Sequence, residues 1–228
     1  MPTFDDVVRN ITHASGPCLT YYGEDGRIEL TGPVLLRWCD KIAGLLLDEA
    51  LITQQARIAI DIPASWRHLV WVLGALRAGA LPCEPDFACG NYSVAVCSTV
   101  EGIDRALAAG IPDVYAQPLA SLALAWTDAL PAGAEDAAQA VMSQPDALVA
   151  VPHGIDPSWT LGGRELARVL TPRDDLDGRF SWISKGPWED AARAIGVWVS
   201  GGSCVITTDP CANVSADERA VAYPAGAD

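Results

Sequence analysis

Residues Ala56–Asp86, ARIAIDIPASWRHLVWVLGALRAGALPCEPD, constrain the fold of this chain more than any other stretch. Arg57–Ile62 is an apolar run of strand length, and the Pro63-Ala64-Ser65 turn after it supplies Ser65 as a helix cap. Leu69, Val72, Leu73 and Leu76 then recur at helical spacing until Gly79 stops the helix, and a second strand follows. Strand, helix and strand in so short a span belong to an α/β fold, mainly parallel, with helices on both faces of the sheet.

The same alternation continues along the chain. Leu19–Tyr22 and Arg27–Leu30 flank Glu24-Asp25-Gly26 and read as a hairpin. Thr31 caps a helix with an apolar stripe of Val34, Leu35, Trp38, Ile42, Leu45 and Leu46. Phe4, Val7, Val8 and Ile11 share one face of a short N-terminal helix. Val94–Ser98 and Asp113–Ala116 read as strands; Ile103–Ala109, Leu122–Ala129 and Ala137–Met142 read as helices. A second unit begins near Pro145, with Ala147–Val151 strand-like, Glu165–Leu170 and Trp188–Val199 helical, and Ser203–Thr207 a strand. The expected division is a first α/β lobe over residues 1–144, a smaller α/β lobe over 145–210 and a polar tail over 211–228.

Charge narrows the partners. A formal net charge of −14 sets the chain against nucleic acid and anionic membrane, since both would repel it. Half of the residues are hydrophobic, ample for a core, yet no apolar run is long enough for a membrane span. The N-terminal segment carries two early aspartates and no basic, apolar signal pattern. Seven cysteines, an odd number with no Cys-x-x-Cys pair, read as buried free thiols in a reducing cytoplasm. His13, His68 and His153 stand near no cysteine cluster, so no metal site is expected. Lys41 and Lys185 are the only lysines against thirteen arginines, which leaves two candidates for any lysine-dependent step.

Leu19-Thr20-Tyr21, Ile62-Pro63-Ala64-Ser65, Gly74-Ala75-Leu76-Arg77-Ala78-Gly79-Ala80 and Pro82-Cys83-Glu84-Pro85 follow one another in a recognisable order. This order resembles the N-terminal part of the AMP-binding, adenylate-forming enzymes: acyl-CoA synthetases, luciferases and peptide-synthetase adenylation domains. These are packing elements, and they imply a fold rather than a catalytic group. Val197-Trp198-Val199-Ser200-Gly201-Gly202-Ser203-Cys204-Val205-Ile206 extends the resemblance, matching the helix, glycine turn and apolar strand of the family.

The resemblance also implies a Ser-, Thr- and Gly-rich loop ending in Pro-Lys, whose N–H groups and hydroxyls hold ATP phosphates. Its place falls on residues 153–164, HGIDPSWTLGGR. Ser158, Thr160, Gly162 and Gly163 keep part of that chemistry, and Arg164 supplies a charge in place of the lysine. Asp156 and the bulky Trp159 work against it. The family's later Tyr-x-Thr-Gly-Asp segment and its C-terminal domain, with a lysine that contacts the reacting carboxylate, have no counterpart in these residues. Adenylation by this chain alone is therefore not expected.

Other chemistry fits less well. His153-Gly154 after a strand suggests a hydrolase oxyanion loop, but Gly201-Gly202-Ser203-Cys204-Val205 lacks the last glycine of a nucleophile elbow, and Ser203 begins a strand. No Gly-x-Gly-x-x-Gly and no Walker loop occurs. Asp174-Asp175-Leu176-Asp177-Gly178 lacks the distal glutamate of a calcium loop and reads as a solvated acidic turn. Trp159, Trp182, Trp188 and Trp198 crowd into the second unit, where tryptophan fills a core or serves an interface.

Two functional expectations follow. The first is a non-catalytic, AMP-binding-enzyme-like protein acting in binding or assembly, as a homo-oligomer or beside another chain, with no cofactor and with Trp182, Trp188 and Trp198 as interface candidates. The second is the nucleotide-binding half of a split ligase, holding ATP or AMP with Mg through Ser158, Thr160, Gly162, Gly163 and Arg164.

Overall fold

The computed structural model describes residues 3–150, 154–210 and 214–224. The first elements are α1 (Phe4–His13), β1 (Pro17–Gly23), β2 (Gly26–Thr31) and α2 (Gly32–Gly44), which runs on into a π-helical turn at Leu45–Glu49. Next come β3 (Arg57–Asp61), α3 (Trp66–Arg77), β4 (Leu81–Cys83), β5 (Val94–Cys97), α4 (Val100–Ala108), β6 (Asp113–Ala116), β7 (Ala134–Asp136) and α5 (Ala137–Ser143). The last part holds β8 (Thr160–Leu161), β9 (Arg164–Glu165), α6 (Leu166–Val169), β10 (Arg179–Ile183), α7 (Pro187–Val199), β11 (Ser203–Thr207), α8 (Val214–Asp217) and β12 (Val221–Ala222).

Packing groups these elements into two units: residues 1–36, 64–66 and 157–228 form one, and residues 37–63 and 67–156 form the other. This differs from the sequential lobes expected at 144/145. The reason lies in the first unit's sheet, which runs β12-β10-β11-β1-β2 and so draws strands from both ends of the chain. β1 pairs with β11 in parallel, Leu19 opposite Cys204 through Tyr22 opposite Thr207, and closes an antiparallel hairpin with β2. α1 buries Phe4, Val7 and Ile11. Asn10 on the same helix donates to the carbonyls of Trp198 and Val199, giving partners to two groups that the end of α7 leaves over.

The second unit is a five-stranded, wholly parallel sheet, β4-β3-β5-β6-β7. Val94–Cys97 is buried along its whole length, as a central parallel strand requires. The helix read from Leu69, Val72, Leu73 and Leu76 lies where expected, and all four are buried. Gly74 permits a close approach: a Cβ there would stand 2.4 Å from Ile42 Cγ2 on α2. Gly79 ends the segment at φ +76°, a conformation that favours glycine. The chain thus has the expected α/β fold of parallel sheets flanked by helices.

Two local expectations fail: Leu122–Ala129 is not helical, and Ala147–Ala150 forms no strand. Arg179–Ile183 is a strand that no periodicity announced. Val151, the last residue of the second segment, lies outside the described residues.

Candidate functional site

The phosphate loop was expected over residues 153–164, and the later part of that stretch builds a hairpin. Thr160 pairs with Glu165 and Leu161 with Arg164 across a two-residue turn, Gly162-Gly163, at φ +57° and +76°. Both glycines serve a primed turn, for which positive φ is the requirement. Leu161 is buried, and a Cβ on Gly162 would lie 2.6 Å from the Trp188 carbonyl oxygen at the start of α7. The N–H groups of Leu166 and Ala167 donate to the carbonyls of Trp159 and Pro157, at 2.6 and 2.8 Å. Ser158 and Thr160 are exposed, and Arg164 is half-buried. His153 lies outside the described residues; Ser203 opens β11, as a strand residue and not an elbow.

The three interface candidates occupy different positions. Trp198 is 1% exposed and donates its indole N–H to the Cys18 carbonyl at 3.1 Å. Trp182 is 7% exposed and donates to Asp190 Oδ1 at 3.0 Å. Both are core residues of the first unit, so an outward-facing role for them is corrected by their burial; Trp188, at the first turn of α7, is half-buried.

Around Trp182 a polar centre takes shape. Asp190, buried on α7, accepts hydrogen bonds from the Trp182 indole, the Ser184 hydroxyl and the Lys185 N–H. Burial pushes its carboxyl above the ordinary range, against the pull of those donors and of Arg193. Beside it lies a cavity of about 430 Å³ lined by Trp182, Tyr223, Arg193, Lys185, Ser181 and Ser215, among others. The Trp182 and Tyr223 rings meet edge-on at 5.5 Å, and the Arg193 guanidinium lies 5.0 Å from the centre of the Tyr223 ring. Arg193 is itself buried and paired with Glu189 at 2.6 Å. Asp190 is occupied as an acceptor by three donors, so it holds the wall in place and is a poor general base.

In the same unit, Glu218 gathers Tyr22, Arg27 and Arg179. The Arg27 bond leads the causes that hold its carboxyl down at about 2. Arg179 also donates to Thr20 Oγ1 and the Pro17 carbonyl, fastening β10 to β1. In the second unit, buried Arg67 donates to the carbonyls of Ala120, Ser121 and Ala123 and lies over the Trp38 ring. Burial holds its pKa down at about 10 and that of the wholly buried His68 at about 3. Lys41 is buried too, donating to the Gln144 carbonyl and pairing with Asp146 at 3.1 Å. None of these residues was visible as a group in the sequence, because their partners lie far along the chain.

Five of the six described cysteines are buried free thiols, whereas Cys89 is free but exposed, against expectation. Among the described residues no three His, Cys, Asp or Glu side chains stand together as metal ligands, and Asp175 is engaged by Arg173 at 2.7 Å. Among them, too, no helix is long and apolar enough to cross a membrane.

The sequence matches no protein-family model and no curated protein. In three dimensions it resembles an acyl-CoA synthetase from Brucella canis, with TM-score 0.68 and 16% identity over 96% of this chain and 45% of that one. A coronafacic acid ligase from Pectobacterium brasiliense gives 0.65 and 12% over 96% and 47%. An amide bond synthetase from Marinactinospora thermotolerans gives 0.64 and 16% over 95% and 47%. The chain spans less than half the length of these enzymes, and at such identities it is the fold that is shared: this protein resembles part of an adenylate-forming enzyme.

Proposed function

We propose that the chain is a non-catalytic binding or assembly module built on the fold of an adenylate-forming enzyme, and that it works in the cytoplasm. The observation that carries this reading is the use made of residues 158–165. A phosphate cradle needs backbone N–H groups and small residues turned towards the ligand. Here Gly162 and Gly163 are committed to a hairpin turn, Leu161 is buried, and Gly162 is pressed against the first turn of α7. Free thiols at all six described cysteines support a reducing compartment.

A partner surface is better sought away from the tryptophans. Leu119, Leu122, Leu124 and Leu130 are exposed along one irregular segment of the second unit. Exposed apolar side chains of this kind are a cost that a partner or second copy would relieve.

The test is a pair of assays on the purified protein with ATP, Mg and a panel of carboxylates. Pyrophosphate release should stay at the no-enzyme background, and calorimetry with ATP–Mg and AMP–Mg should show no Mg-dependent, adenine-dependent site. Turnover that is lost in Arg164→Ala would overturn the proposal in favour of a nucleotide-binding half-ligase.

A further inference from the structure

The second unit holds a cavity of about 400 Å³ at the starts of β5 and β6, with Leu51, Thr53, Tyr92, Ile111 and Asp113 among its walls. Two helices end on it. The π-helical turn that finishes α2 is capped by Ala50 and α4 by Ala109, and both caps line the cavity. The last carbonyls of a helix carry partial negative charge, so the two ends favour a cation. Asp113, the first residue of β6, adds a full negative charge and is half-buried. Burial alone pushes its carboxyl above the ordinary range, and among the described residues no hydrogen bond or ion pair reaches it. Tyr115, two residues further along β6, has its hydroxyl proton held on by burial and then by Asp113, Glu135 and Glu49, so three carboxylates share that field. No arginine or lysine lines the cavity; the Arg57 guanidinium lies 5.2 Å from the centre of the Tyr92 ring and donates to Cys83 Sγ at 3.5 Å.

The remaining walls fit an organic body. Ile52, Tyr92 and Ile111 are buried, whereas Leu51 is 73% exposed at φ +47°, a left-handed conformation that is unfavourable for leucine. A ligand that covers Leu51 removes apolar surface from water. The volume lies within the range of small-molecule pockets. A bare metal ion suits the place poorly, because hard cations take several oxygen ligands and a single carboxylate lines the cavity. A primary ammonium fits better: its three rotatable donors can meet a carboxylate and helix-end carbonyls together.

We propose that this cavity binds a small organic cation, a primary ammonium on an apolar body, with the charge at Asp113 and the body against Leu51, Tyr92 and Ile111. The site draws on the second unit alone and on none of residues 153–164, so it stands apart from the reading of the chain as a non-catalytic module.

Calorimetric titration with benzylammonium, with benzyl alcohol as its neutral counterpart and with calcium chloride, tests the site. Benzylammonium should bind saturably and at least about tenfold more tightly than the alcohol. Asp113→Asn keeps the side-chain shape and removes a charge that has no protein partner, so the variant should retain the wild-type melting curve and lose affinity by about tenfold. Thr53→Trp, at an exposed wall position, should block binding by bulk. Asp174→Asn removes an equal charge from the exposed acidic turn of the first unit and should change nothing. Absence of saturable binding at millimolar benzylammonium, equal binding of the alcohol, or binding that Asp113→Asn leaves intact overturns the proposal. Calcium that binds and is lost in Asp113→Asn, while benzylammonium does not bind, overturns it in favour of a metal site. Neither adenine nor Mg enters these titrations, so failure here leaves the non-catalytic reading standing, and pyrophosphate release would overturn that reading without touching this one.

Discussion

Glu218 shows how much a single side chain can hold in this protein. It stands one residue past α8 and accepts from Tyr22, Arg27 and Arg179, on three different strands of the first unit's sheet. A carboxyl held at about 2 against an ordinary 4.5 contributes stability that is fully present above pH 4.5 and fades as pH falls towards 2. Glu218→Gln should cost about 1–2 kcal/mol at neutral pH, the scale of lost charge-assisted hydrogen bonds. The difference between variant and wild type, read from denaturant melts, should then shrink between pH 4.5 and 2. A constant difference down to pH 2 would contradict the assignment. His68 works in a neighbouring window. Its folded pKa is pushed down to about 3 from an ordinary 6.5, so the unfolded chain takes up a proton that the folded chain refuses, and stability declines as pH drops below 6.5. The His68 ring resonances should accordingly show no titration between pH 8 and 4 in the folded protein. A midpoint near 6.5 would mean that the ring is not buried as described.

At the scale of elements, the hairpin at Thr160–Glu165 is the place where sequence and structure part most instructively. Two glycines, a serine and a threonine near a basic residue carry the composition of a phosphate loop, but composition does not say whether positive φ serves a ligand or a turn. The two glycines can be told apart by experiment. Gly163→Ala bears only a left-handed conformation, roughly 1–2 kcal/mol, because nothing lies within 4 Å of its added Cβ. Gly162→Ala bears that cost and also a 2.6 Å approach to the Trp188 carbonyl, and should be clearly the less stable in thermal melts. Equal melting temperatures would show that the hairpin does not pack on α7 in this way. Elements with clean periodicity, such as α3 and Val94–Cys97, were legible because core burial follows the apolar pattern directly. β10 was hidden by Arg179 and Ser181, polar residues inside a strand, whose partners Glu218 and Ser215 come more than thirty positions later. The helix expected over Leu122–Ala129 was lost for the converse reason. Buried Arg67 takes the carbonyls of Ala120, Ser121 and Ala123, while Leu122 and Leu124 are 84% and 73% exposed and have no apolar face to bury. Ala147–Ala150 has the composition of a strand, yet Val149 is 77% exposed and among the described residues no strand pairs with it.

At the scale of the whole molecule, the two units differ in how they are cut from the chain, and that difference predicts how the chain can be divided. Residues 37–156, apart from 64–66, make one unit with all five strands of the β4-β3-β5-β6-β7 sheet. The other unit needs both ends of the chain, because β1 sits between β11 and β2 in its sheet. A fragment of residues 37–156 keeps every ladder of its sheet and its buried Val94–Cys97 strand, so it should fold by itself and melt cooperatively. A fragment of residues 145–228 keeps β10, β11 and β12 but exposes the edge of β11 where β1 should pair, a template for aggregation. It also leaves the Trp198 indole without the Cys18 carbonyl, and the end of α7 without Asn10. An unpartnered buried donor alone costs about 1–3 kcal/mol, a large share of what a small fragment can command. Circular dichroism and thermal melting of the two fragments decide the matter. A folded 145–228 beside an unfolded 37–156 would restore the sequential division at 144/145, whereas the opposite pair of results means that the ends of this chain fold together as one unit and the middle folds as another.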